Sequence, residues 1–475
     1  MNFDITFGIV VYLIAIIIPL IHNNGFKAKY IALFLSLTVY DAFINIGYIV
    51  KIGSFALEYN MMSSIILFIP SIYILITNDV NKKVKNWFII FLVCILLGAL
   101  KSIISRQEIM GITHLENWDT YFAEHKPIHL ISFNMPQFLI MLLRFTITFI
   151  NMSAFGLLFN QHYLKILTKI IRTYMTISLI IYVIEMILYN FTGSISFRET
   201  LVNLLGPNGF VYVYPRVFLN KIYTPLLLLS EPAAVAFAFF ISGCNEIFLF
   251  NYKKEKSSIL LLFILMIFLL MTSAMTSILY LIVLAISFLS TLFKNKSHLI
   301  LSLIVIFLVM IGPIIAMYNE ELTIFLDNVK LYKYGIPYLS TNSKVVRTYS
   351  IYIEIIHFIK NPVLGIGLGT SFSHSGFFTM LSNIGIFGTI ASFKLISNYY
   401  SNFNFKKSSY LLAIFSIIIV YSISGNFSMY LYIQYTQILF FLLIASNKSE
   451  RSNLHLTNKE KSMLVYLLQN NQILI

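Results

Sequence analysis

The chain has 475 residues, of which 58% are hydrophobic and only 11% charged, with a mean hydropathy of +0.83 and a formal net charge of +14. A water-soluble core cannot absorb so much apolar surface, so the composition excludes an ordinary soluble domain and indicates a membrane protein. Nor does the positive charge point to nucleic acid, because Lys and Arg are scattered through short loops and form no single stripe.

Apolar runs near or above the roughly 20 residues that cross a bilayer recur about 13 times. In chain order they cover 5–21, 30–50, 62–77, 86–101, 137–160, 173–192, 223–245, 257–272, 275–293, 298–318, 376–394, 409–423 and 429–446. Lipid offers the backbone no hydrogen-bond partners, so the runs are expected to be helical. The fold class that follows is all-α, a polytopic integral membrane bundle of about 12–14 transmembrane helices. No repeat or linker divides it, and residues 1–446 read as one transmembrane domain followed by a polar cytoplasmic tail at 447–475. The first run lacks a basic leader and a small-residue cleavage site and reads as a retained span. Cys94 and Cys244 fall inside predicted spans, as small packing residues and not as a disulfide.

With the N-terminus outside, most Lys and Arg fall in short inner loops such as NDVNKKVK, QHYLKILTKIIR and NYKKEK. The outer side then owns the long segments, near 102–136, 193–222 and 319–375, the last two being the large extracytoplasmic loops that bear the candidate motifs. Long irregular segments usually carry function, which puts any chemistry on the outer face.

Asp41, Arg144, Glu185 and Glu231 fall within predicted spans, away from their end residues. Each is expensive in hydrocarbon, and each reads either as an interhelical pair or as a functional group. Glu231 precedes Pro232 in LLLLSEPAAVAFAFF, where the helix is expected to break or begin. It serves there as a helix cap, or it holds an arginine or polarises a hydroxyl. In the loop before it, Arg216 stands among Tyr212, Tyr214 and Tyr223. This arginine either snorkels at the membrane boundary or holds phosphate through its planar fork. Farther on, KVVRTYSIYIEIIHFIK has the periodicity of an amphipathic helix, with Arg347 and Glu354 seven apart on one face. Arg347 pairs with Glu354 or faces a lipid-bound anion.

Asn361 and Pro362 end that helix, and NPVLGIGLGTSFSHSGFFTMLSNIGIFG follows. Its Gly365, Gly367 and Gly369 form G-x-G-x-G with no preceding strand of the kind a dinucleotide fold needs. Such glycines permit positive φ and close backbone approach, so the loop either turns its amides to an anion or re-enters the membrane. His374 follows, a helix cap or a functional imidazole, and Gly385 and Gly388 come later on the next span.

This order of features resembles the bacterial O-antigen polymerase and O-antigen ligase superfamily. The resemblance lies in R-x-F…SEP, a distal arginine, and P-x-x-G-x-G…H…G-x-x-G, here Pro362, Gly365, Gly367, His374, Gly385 and Gly388. It covers roughly residues 200–390. Two departures stand out: Ala274 replaces the arginine of the family's T-x-S-R helix start, and Arg216 lies farther from Glu231 than in exopolysaccharide relatives. The resemblance implies a multi-pass enzyme of the bacterial inner (plasma) membrane that takes a glycan from undecaprenyl pyrophosphate. A polymerase passes the growing chain to the next lipid-linked repeat unit of an O-antigen or capsule, and this branch is the closer one. A ligase would pass it to lipid A core.

The resemblance also implies roles: Arg216 and Arg347 as pyrophosphate clamps, His374 or Glu231 as the base, and Gly365, Gly367 and Gly385 as determinants of loop geometry. No cofactor and no metal is expected, since no Asp-x-Asp pair and no Walker sequence is present. The expected partners are undecaprenyl-pyrophosphate-linked oligosaccharides and membrane lipids, with a flippase and a chain-length regulator beside them and no nucleic acid. A lipid-linked oligosaccharide flippase is the competing class, but it would commonly show repeated halves and midplane binding groups.

Overall fold

A computed structural model describes residues 3–5, 8–44, 48–52, 55–78, 80, 82–105, 109–112, 128–159, 163–205, 217–218, 222–223, 225, 232–253, 255–272, 275–292, 343–371 and 375–399. The elements in order are β1 (Phe3–Ile5), α1 (Gly8–His22), α2 (Phe26–Phe43), β2 (Tyr48–Ile52), β3 (Phe55–Glu58), α3 (Tyr59–Thr77) and α4 (Lys82–Ser105). Then come β4 (Ile109–Ile112), β5 (Ile128–Ile131), α5 (Met135–Leu158), α6 (Leu164–Thr192), α7 (Ser196–Leu205), β6 (Val217–Phe218) and β7 (Ile222–Tyr223). The remaining described helices are α8 (Pro232–Lys253), α9 (Lys256–Met271), α10 (Met275–Leu292), α11 (Ser343–Lys360) and α12 (Gly376–Tyr399). The predicted spans at 298–318, 409–423 and 429–446 lie outside the described residues.

Helices make the body of the fold. Four of them, within Lys82–Ser105, Met135–Leu158, Ile166–Thr192 and Gly376–Leu395, are long and apolar enough to cross a membrane. Shorter apolar helices stand beside them, at Gly8–His22, Met61–Thr77, Val235–Phe250 and Lys256–Met271. Their outer faces carry apolar stripes at helical spacing, such as Leu96, Leu100 and Ile104 on α4 or Leu260, Phe263 and Ile267 on α9, all exposed. Water would penalise such stripes and lipid tails would not, so the exposed pattern fits a bundle in a membrane.

Inside, α2 and α8 are enclosed almost on every side. Phe34 stacks on Phe155 of α5, and Phe240 stacks on Tyr280 of α10. Helix α2 packs against α1, α3, α5, α6 and α8, and α8 against α6, α9 and α10. A helix covered all round needs no polar face, and α2 duly lacks a strong apolar-to-polar division.

Among the described residues the strands lie before α1 or between helices. β2 pairs antiparallel with both β1 and β3, β4 pairs with β5, and β6 with β7. The charge pattern assigns all of these strands to one side. Elsewhere, Arg172, two turns into α6, meets Glu246 of α8 and Glu255 just before α9.

Several boundaries move. The run at 30–50 becomes a helix over Phe26–Phe43 and then a strand from Tyr48, because hydropathy does not separate the β-branched Ile49 and Val50 of β2 from a span. Helix α6 starts at Leu164, so Lys165, Lys169 and Arg172 are helical, not looped. The run at 223–245 becomes Pro232–Lys253, with Pro232 at the first helical position where a missing N–H costs nothing.

Candidate functional site

The site is assembled where α11, the loop after it, α12 and the end of α4 meet. Helix α11 stops as foreseen: the Asn361 amide bonds the His357 carbonyl at 2.9 Å, and Pro362 cannot continue the ladder. The chain then turns through Gly365, Gly367 and Gly369, at φ of 71°, 99° and 79°. Helix α12 is itself interrupted at Gly385, where φ is 66° and ψ −176°. That conformation is essentially confined to glycine.

The loop and the helix break fit into one another. The Ile366 amide donates to the Ser382 carbonyl at 2.8 Å, the Gly367 amide to the Asn383 carbonyl at 3.0 Å, and the Ile386 amide to the Pro362 carbonyl at 2.8 Å. Backbone groups freed by interrupting α12 are therefore satisfied by the loop. The approach is so close that a Cβ on Gly365 would lie 2.4 Å from the Asn383 carbonyl carbon, and one on Gly385 would lie 2.2 Å from the Val363 oxygen. On the far side, a Cβ on Gly98 of α4 would lie 2.6 Å from the Leu364 oxygen. Gly388 differs, for the three atoms nearest a Cβ there all belong to the side chain of Ile384 in its own helix.

Side chains extend the lock. Asn383, fully buried, accepts at Oδ1 from the amides of Thr370 (3.0 Å) and Ser371 (3.3 Å), and its Nδ2 donates to the carbonyls of Ser371 (2.9 Å) and Thr379 (2.8 Å). Glu354 of α11, also fully buried, receives the hydroxyl of Ser371 at 2.5 Å on one oxygen and that of Ser382 on the other. Burial pushes its carboxyl up to about 7, while the two serine hydroxyls pull it down. Lys101, one turn from the end of α4, donates to Asn361 Oδ1 and, at 3.1 Å, to the Gly365 carbonyl. The next residue, Ser102, donates to the Ile366 carbonyl at 2.6 Å.

Five amides of the glycine loop are therefore spent on the protein. Those of Gly365, Ile366, Gly367, Thr370 and Ser371 all donate to oxygens within the chain. Both permissions of glycine, positive φ and close backbone approach, are used here.

Among the sequence candidates, Gly365, Gly367 and Gly385 are brought together in this lock. Arg347 lies on α11, the helix that packs against α12, with its backbone alone described. Arg216, Glu231 and His374 lie outside the described residues. Asp41 is buried and receives Ser63 Oγ at 3.2 Å, and Ser63 in turn bonds the Tyr12 hydroxyl at 2.9 Å. Arg144 sets Nη2 3.7 Å from the Met61 sulfur, and its buried Nε meets no acceptor among the described residues. Glu185 is buried on α6. Both cysteines are free, buried thiols.

Sequence reasoning missed Asn383, Ser371, Ser382 and Lys101. Ser382 and Asn383 stand just before Ile384 and the Gly385 break in an apolar run, and a polar pair in that position was the available signal. Lys101 carried none, being the last residue of a predicted span.

No protein-family model matches the chain, and no curated protein matches it.

Proposed function

We propose that the chain is a polysaccharide polymerase of the bacterial plasma membrane, acting at its outer face on undecaprenyl-pyrophosphate-linked glycans of the O-antigen or capsule class. The observation that carries this reading is the lock itself. Residues that the resemblance groups into one motif, Pro362 and Gly365 on one side and Gly385 on the other, meet backbone to backbone at the end of the helix that bears Arg347. A motif spread over more than twenty positions is then one physical unit, and it fixes the end of α11.

The reaction is glycosyl transfer. The acceptor hydroxyl of a lipid-linked repeat unit forms a bond to the anomeric carbon of the growing glycan, and the bond from that carbon to pyrophosphate oxygen breaks. The electron pair leaves with undecaprenyl pyrophosphate, and the hydroxyl proton goes to a base, His374 or Glu231. Pyrophosphate needs little protonation to depart, so the principal demand is for cations at the developing charge, a demand that preorganised arginines meet. Arg216 and Arg347 fill that role in this reading, with a flippase supplying the repeat units and a chain-length regulator setting the product.

Arginine's planar fork matters here beyond its charge. Arg216→Lys and Arg347→Lys should both abolish the polymer ladder on a glycan gel, with single-repeat lipid accumulating and the protein still in the membrane. Wild-type ladders from both variants would remove the reading.

A further inference from the structure

Lys101 is set among neutral oxygens. Its ammonium donates to the side-chain oxygen of Asn361 and to the Gly365 carbonyl, and among the described residues no carboxylate lies within 4.0 Å of it. Two of its three N–H groups are thereby used, leaving one donor and a whole positive charge. At a bilayer boundary a part-buried cation without a counter-charge attracts an anion more strongly than it would in water.

The space beside it suits an oxygen anion. A small cleft of about 10 Å³ is lined by Lys101, Ser102, Ser105, Phe133, Asn361 and Thr370. That volume admits a single oxygen of the size of a water, not a whole phosphate. One oxygen enters and the rest of the group stays at the mouth. Ser105 stands there, exposed, one helical turn beyond Lys101 and on the same face, its hydroxyl only loosely engaged with the Ser102 carbonyl at 3.4 Å. The carbonyls of Gly365 and Ile366, which would repel an anion, are covered by Lys101 and Ser102.

We propose that Lys101, with the Ser105 hydroxyl, forms a phosphate-binding subsite where the end of α4 meets the glycine loop. Its ligand class is a phosphate or diphosphate group. The chemistry stands without the polymerase reading, whereas a polyprenyl diphosphate as its source rests on that reading.

The test uses the full chain in nanodiscs of zwitterionic lipid, with inorganic pyrophosphate and farnesyl diphosphate as separate probes. Both should bind wild type. Lys101→Met should weaken each about tenfold or more, the scale of one lost charge-assisted hydrogen bond, and Lys101→Arg should recover most of it. Ser105→Asp leaves both Lys101 hydrogen bonds in place but supplies a competing carboxylate, and it should weaken both probes too, which keeps the test decisive if Lys101→Met does not fold. Affinities equal to wild type in both Lys101→Met and Ser105→Asp would overturn the subsite. Lys101-dependent binding of pyrophosphate with no binding of farnesyl diphosphate would uphold the subsite and take away the polymerase reading's donor.

Discussion

Gly385→Ala is the sharpest perturbation of the lock, because Gly388→Ala, three residues away in the same motif, supplies its control. At Gly385 the backbone lies in a region closed to side chains, a strain of about 1–3 kcal/mol for alanine. The new Cβ would also come within 2.2–2.7 Å of the Val363 oxygen and carbon and the Leu364 nitrogen, all main-chain atoms that cannot rotate away. Relief requires the loop to lift from α12. That motion gives up the Ile366–Ser382, Gly367–Asn383 and Ile386–Pro362 hydrogen bonds, each worth about 1 kcal/mol net. The combined cost is about 4–6 kcal/mol. At Gly388 the three nearest atoms all belong to the side chain of Ile384, its Cβ at 2.9 Å among them, and the better helix propensity of alanine offsets part of that crowding, for a net effect of about 2 kcal/mol or less. Hydrogen exchange in detergent, read at the amides of Ile366, Gly367 and Ile386, should speed up at least about a hundredfold in Gly385→Ala and stay near wild type in Gly388→Ala. Equal protection in the two variants, with equal melting temperatures, would refute the interlock.

Two other buried carboxylates give predictions with definite sign. The Glu354 carboxyl, at about 7 in the folded chain against 4.5 when free, keeps a proton that the unfolded chain has already released between those values. Stability should then be highest below about pH 4.5 and fall as pH rises to about 7, by at most about 3 kcal/mol; Glu354→Gln, which cannot ionise, should flatten this slope and melt higher than wild type at pH 8. A wild-type melting temperature that is flat from pH 5 to 8 would contradict it. Glu246 is fully buried and takes a two-point contact from Arg172, with Nε at 3.1 Å and Nη2 at 2.9 Å. Arg172→Met strands that charge and should cost about 3–5 kcal/mol, whereas adding Glu246→Leu should recover most of it. A double variant no more stable than the single one would argue against the pairing.

How much was legible follows from what each signal measures. Hydropathy found the helices α1 to α6, α8 to α10 and α12, since burial in lipid or in protein demands the same residues. It misjudged ends for the same reason: Ile49 and Val50 are as apolar in a strand as in a span, and Lys165 and Lys169 are polar whether looped or helical. Periodicity found α11 and set Glu354 apart from the apolar flank. It did not reveal Glu354's partners, for Ser371 and Ser382 lie 17 and 28 residues away, and only the fold of the glycine loop brings them back. The glycines advertised positive φ without telling what they face. A sequence records that a Cβ is missing, not which backbone fills its place.

What fills it also constrains the chemistry. Had the loop been an anion nest, its amides would supply the positive field and the neighbouring side chains would be free to vary. Instead the amides of residues 365–367, 370 and 371 are committed to carbonyl and Asn383 oxygens, so any phosphate bound at this end of α11 would depend chiefly on side chains. Side-chain cations need fixed mounts, because a flexible lysine or arginine loses rotamer freedom on binding. The lock supplies such mounts: it fixes the end of α11 against α12, and it holds Lys101 through Asn361 and Gly365. Loosening the loop by Gly385→Ala should therefore weaken pyrophosphate binding even though Gly385 touches no ligand, and Gly388→Ala should leave it unchanged. Isothermal titration with inorganic pyrophosphate separates the cases, and unchanged affinity in a Gly385→Ala protein whose loop amides exchange freely would show that the mount is not needed.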